Sequence, residues 1–186
     1  MTNRFRILAL AASAASLLDA QPALAGPQFP EASQKAWNER SEQIIAAIRN
    51  ERATSGEDYV AGLSSACSGI TGFQMSHRMP NWAAMPQGFL CNAVGELKGS
   101  LKDHGKRGGG TAYCGTARRA AGMARKFPQN EDSAPVAATM TALADAADLL
   151  TTVRFNYETS KYVLGMGFGS DGTVTKSHVL TCKPAR

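Results

Sequence analysis

Four cysteines, Cys67, Cys91, Cys114 and Cys182, and three histidines, His77, His104 and His178, are the side chains through which this chain could hold a metal or attack an electrophile. Structural zinc is normally gripped by at least one close pair of ligands, C-x-x-C or H-x-x-x-H, so that one turn of backbone sets both. Here the cysteines stand 24, 23 and 68 residues apart and the histidines stand alone, so no metal site is expected. Cys114-Gly115-Thr116-Ala117 has the outline of a cysteine-protease nucleophile segment. A catalytic thiol, however, must stay reduced and leaves an odd cysteine over, whereas an even count in an exported chain reads as two disulfides. Three pairings are open. The favoured one joins Cys91 to Cys114, tying two successive helices across a flexible loop, and leaves Cys67 for Cys182.

No G-x-S-x-G elbow is present. The glycine-rich stretches Gly105 to Gly110 and Gly165 to Gly172 lack the order of a phosphate-binding loop. The first has no Lys-Ser or Lys-Thr ending, and the second lies between strand-like runs and opens no helix. No catalytic residue and no cofactor are therefore expected. What does stand out is charge. Lys98, Lys102, His104, Lys106, Arg107, Arg118, Arg119, Arg125 and Lys126 crowd into one stretch. Within it, Lys102, Lys106, Arg107, Arg118 and Arg119 are the candidate contacts for an acidic protein partner, since complementary charge speeds and orients association. Trp82, with Met79, Met85 and Phe89 near it in sequence, reads as core.

The compartment follows from the first 25 residues. Arg4 and Arg6 precede an apolar run from Ile7 to Leu18, and Ala23-Leu24-Ala25 offers the small residues a signal peptidase reads. The apolar run is about a dozen residues, short of the roughly 20 needed to span a bilayer, so cleavage after Ala25 and a product without a membrane anchor are expected. Losing Arg4, Arg6 and Asp19 lowers the formal charge of +5 by one. That mild surplus suits an acidic partner but falls far short of a dedicated nucleic-acid binder, so nucleic acid is set aside. Residues 26–186 are one domain's length of chain, in the periplasm or secreted. Aromatics make up only 7%. Burial per residue should then be modest, and disulfides correspondingly important.

The elements that must position these residues read as mainly α: a compact bundle of about five helices, disulfide-stapled, with a small C-terminal antiparallel β-ribbon over 151–182. Trp37, Ile44, Ile45 and Ile48 recur at helical spacing within Ser33 to Glu51. Val60, Leu63, Cys67 and Ile70 form one stripe of a second helix that opens near Ser55, so Cys67 should face inward. Phe73 to Gln87, with two prolines, loses periodicity and reads as an ordered loop. Leu90, Val94, Leu97 and Leu101 mark a third helix from Gly88 to Lys102. Ala117, Ala120, Ala121, Ala124 and Phe127 form the inner face of a fourth, ended by Pro128. Asp132-Ser133-Ala134-Pro135 starts a fifth, carrying Val136, Met140, Leu143, Ala147 and Leu150. Thr151 to Tyr157, Lys161 to Phe168 and Thr173 to Leu180 read as strand, with Asp171-Gly172 as a tight hairpin turn.

Leu63-Ser64-Ser65-Ala66-Cys67, then Phe89-Leu90-Cys91-Asn92-Ala93-Val94-Gly95-Glu96-Leu97-Lys98-Gly99, then Tyr113-Cys114 and an alanine-rich helix ending at Phe127-Pro128 together resemble the periplasmic immunity proteins of type VI secretion amidase systems. The resemblance spans about Leu63 to Leu150. It implies a non-catalytic protein, often a homodimer, that binds and inhibits a cell-wall amidase toxin, with its cysteines purely structural. Two other classes fit the residues alone: a periplasmic stress or chaperone-like binding protein, and a small secreted enzyme or effector.

Overall fold

The computed structural model describes residues 29–50, 57–102, 111–163 and 172–182; the expected signal segment, residues 1–25, lies outside them. The architecture is mainly α, in the order α1 (Glu31–Ile48), α2 (Glu57–Cys67), α3 (Ile70–Ser76), α4 (Asn81–Lys102), α5 (Ala112–Arg125), a 3-10 turn (Ala134–Val136), α6 (Ala137–Thr152), β1 (Phe155–Val163) and β2 (Gly172–Leu180). No helix among the described residues is long and apolar enough to cross a membrane.

The apolar stripes fall on the expected faces. Trp37, Ile44, Ile45 and Ile48 of α1 are buried with Leu90, Val94 and Leu97 of α4 and with Val136, Met140, Leu143, Ala147 and Leu150 of the last helical segment. Ala117, Ala120, Ala121 and Ala124 of α5 are buried as well, and with only a methyl group each they let α5 lie close between α4 and α6. Phe127, just beyond α5, is half-buried.

Several expectations change. The second apolar stripe belongs to two helices, because Gly69 takes a left-handed φ of 69° that breaks the chain after α2 and leaves Ile70 to open α3. Cys67 is therefore the last residue of α2, and it is half-buried. The stretch Phe73 to Gln87 is mostly helical, split by a turn at Arg78 (φ 47°) between α3 and α4. Its periodicity is masked by Pro86, which sits inside α4 and has no N–H to give the Trp82 carbonyl. Neighbouring carbonyls on those turns receive side-chain donors instead. Trp37 donates from Nε1 to the Ala83 carbonyl at 2.9 Å, and Gln74 from Nε2 to the Ala84 carbonyl at 2.7 Å. Gln87, fully buried, donates to Ser41 Oγ at 2.6 Å and to the Trp37 carbonyl at 3.2 Å, binding α1 to α4.

The disulfides are Cys67–Cys91 and Cys114–Cys182, not Cys91–Cys114 and Cys67–Cys182. The reason is helix length. Cys91 lies eleven residues before the end of α4, about 16 Å at the helical rise, while Cys114 sits in the first turn of the next helix. In consecutive antiparallel helices Cys91, midway along α4, is left about that far from Cys114 along the axis, well beyond a disulfide's reach. Cys67, arriving at the end of α2, meets Cys91 instead with a Cα separation of 5.2 Å.

The C-terminal ribbon is antiparallel, as expected, in a register that runs from Phe155 opposite Leu180 to Val163 opposite Gly172. Thr151 and Thr152 belong to α6, and one strand replaces the two separate runs expected before the turn. Gly172 stands in the ladder's last pair; the rest of the expected Asp171-Gly172 turn, like the loop Gly105 to Gly110, lies outside the described residues. The ribbon meets the helices at its root. There Phe155 stacks on Tyr59 and lies edge-on to Tyr113, Leu180 is buried, and Cys182 reaches Cys114.

Burial raises the phenol pKa of both tyrosines, that of Tyr59 to about 12. The ionised form is thus favoured in the unfolded chain above its ordinary value of about 10. Stability should hold below pH about 10 and fall between about 10 and 12, by about 2 to 3 kcal/mol for Tyr59, in urea titrations. Tyr113 Oη is buried without a hydrogen-bond partner, whereas Tyr59 donates to the Ile48 carbonyl at 2.8 Å. Tyr113→Phe should therefore be neutral or stabilising and Tyr59→Phe should cost about 1 kcal/mol. Loop entropy assigns about 3.5 kcal/mol to Cys67–Cys91 and about 4.4 kcal/mol to Cys114–Cys182. Serines at 114 and 182 should also strip amide protection from the ribbon before the helices, as hydrogen exchange would show.

Candidate partner-binding face

Among the described residues, the basic stretch singled out in the sequence is spread over different faces of α4 and α5. Lys102 is the exposed last residue of α4, while Lys106 and Arg107 lie outside the described residues. Lys98 and Lys102 follow Phe89 by nine and thirteen positions, which at 3.6 residues per turn carries them to the far side of α4 from it. Arg125 is turned to α6. Its Nη2 lies 2.5 Å from Asp148 Oδ2 and 3.7 Å from Asp145 Oδ1. The hydrogen bond it donates to Asp148 raises its already high pKa, slight desolvation opposes this, and the two carboxylate charges add to it. Arg118 is half-buried on α5. Arg119 is exposed, and its guanidinium carbon sits 4.4 Å from the centroid of the Phe89 ring.

That contact marks a different surface. Trp82, Met85 and Phe89 recur at i, i+3 and i+7 along α4, turned away from the core positions Ala83, Leu90, Val94 and Leu97. Trp82 and Phe89 are half-buried and Met85 is 41% exposed. Across the seam, α5 presents Arg119 and, one turn on, half-buried Met123. Phe29, at the entry to α1, meets Trp82 edge to face at 5.5 Å and fixes one end of the row. Met79 is buried, as expected for the core, but Trp82, Met85 and Phe89 form a rim that is only partly covered. The missed signal was the helical spacing itself, hidden because the two prolines made this stretch read as a loop.

Tryptophan, arginine, methionine and phenylalanine are the types enriched at protein interfaces, where a few such side chains carry most of the binding energy. An arginine held over an aromatic ring can still donate to a carboxylate while losing little freedom on binding. The arrangement therefore suits holding a partner through an apolar row with a cationic edge. His77 is structural: its Nδ1 lies 2.9 Å from the Phe73 carbonyl and 3.0 Å from Ser76 Oγ, and its carbonyl accepts from Ser33 Oγ at 2.9 Å. His104 is outside the described residues and His178 lies in β2. No group of three or more His, Cys, Asp or Glu residues is placed to hold a metal among the described residues.

If this row is a surface and not part of the core, then Met85→Glu and Arg119→Ala should each change stability by less than about 1 kcal/mol in urea titrations. Gln87→Leu, two positions from Met85, should cost about 1 to 3 kcal/mol by leaving Ser41 buried without its donor.

No family model, curated protein or solved structure matches the chain significantly, so its placement rests on its own residues and geometry.

Proposed function

We propose that this chain is an exported, non-catalytic protein that binds and inhibits a cell-wall amidase in the periplasm, an immunity protein acting through the face shared by α4 and α5. The observation that carries the binding role is Arg119 lying on Phe89 beside Met85 and Trp82, an incompletely covered row of interface-type side chains on two rigid helices. Two disulfides suit a chain that folds in an oxidising compartment. The amidase target comes from the resemblance.

The mature oxidised protein, immobilised and exposed to periplasmic extract, should retain one stoichiometric partner with peptidoglycan amidase activity, and an equimolar amount should abolish that activity. Met85→Glu and Arg119→Glu should each weaken the complex at least tenfold by calorimetry, while Lys98→Glu on the far side of α4 should leave it unchanged. Retention of many unrelated proteins, or full amidase activity in the presence of excess protein, would sink the assignment.

A further inference from the structure

One side of the seam between α4 and α5 carries charge of a single sign. Arg118, Arg119 and Arg125 lie on α5 and Lys126 caps it, with no aspartate or glutamate among them, whereas α6 carries Asp145 and Asp148 and no basic residue. Arg125 is taken up by those two carboxylates, but Arg119 and Lys126 are exposed and form no ion pair among the described residues. They stand seven positions apart, which returns them to the same side of the helix about 10 Å along its axis. Half-buried Met123 lies between them, and Met85 and Phe89 face it across the seam. Gly115 and Gly122, one turn to either side of Arg119, have open space among the described residues where a Cβ would stand.

We infer that this face receives an acidic amphipathic helix of the partner, with two carboxylates seven positions apart on Arg119 and Lys126 and apolar side chains between them on Met85, Phe89 and Met123. Charge selects the sign: a carboxylate on the seam meets two unpaired cations, and on the neighbouring α6 it would meet Asp145 and Asp148. Spacing selects the helix. Residues i and i+7 of a helix share one face about 10 Å apart, so a helix laid along the seam at a small crossing angle matches both cations. A strand covers about 10 Å in three residues, and residues three apart point to opposite faces. The bare backbone at Gly115 and Gly122 lets such a helix lie close. The fit requires only that the α4–α5 face be the binding surface proposed above, whether or not its partner is an amidase.

A phage-displayed library of random peptides of about 16 residues, panned on the immobilised mature oxidised chain with Met85→Glu as the counter-selecting surface, tests the helix without knowledge of the partner. The selected peptides should converge on Asp or Glu at i and i+7 with apolar residues at i+3 and i+4, and should gain helical dichroism on binding. Arg119→Glu should weaken the best of them at least tenfold by calorimetry, and lysine in place of one of the two peptide acids should restore affinity for that variant. Lys98→Glu should change nothing. No enrichment over the counter-selecting surface, convergence on a basic, uncharged or proline-bearing motif, or binding indifferent to Arg119→Glu would overturn the acidic helix. Acidic helical binders obtained alongside an extract that yields no amidase would support it while the amidase assignment falls.

Discussion

The buried amide of Gln87 is the point on which the helical assembly turns. A proline one residue earlier deprives α4 of part of its own ladder, and the helix is held there by donors and acceptors from its neighbours. Gln87 binds Ser41 and the backbone of Trp37, while Trp37 returns a hydrogen bond to Ala83. These are directional contacts inside an apolar interior, where each missing partner is costly. They fix the rotation of α4 about its axis, and that rotation decides which residues of the helix reach solvent. Trp82, Met85 and Phe89 are surface residues only because Gln87 and Leu90 point inward.

Around that point the molecule divides its cohesion unevenly. The helices share one continuous core, with α5 fitted closely by its alanines. Among the ribbon's described side chains, Phe155, Leu180 and the half-buried Cys182 share in it. Arg40 adds a smaller brace: it donates to the Ser68 carbonyl at the α2–α3 break and lies 5.9 Å from the Phe73 ring, closing the corner next to Cys67.

Where the chain is regular, its sequence was legible. Ile44 and Ile48, Leu90 to Leu97, the alanines of α5 and the Met140 to Leu150 stripe each follow helical spacing, and each is buried as that spacing requires. The α3–α4 hairpin was not legible, because Pro80 and Pro86 signal a loop and nothing local shows that Trp37 and Gln74 supply donors to the carbonyls nearby. The disulfide pairing failed for a related reason. Cys91 looked close to Cys114 in sequence, but helix rise separates them, and Cys67, at the end of α2 packed on α4, lies within reach instead. Of the described candidate contacts, Arg119 meets the aromatic row while Lys102 lies on the far side of α4, since charge close in sequence is spread round a helix in space.

The two bridges also set an order of events. Counted along the chain, the first cysteine joins the second and the third joins the fourth, so the bridges neither cross nor nest. If the chain is exported amino end first, as proposed, each cysteine that emerges would find its native partner either already present or the next to arrive. The simplest oxidant, acting on thiols in the order they appear, then makes the native pairs, with no wrong bridge to be undone by a disulfide isomerase.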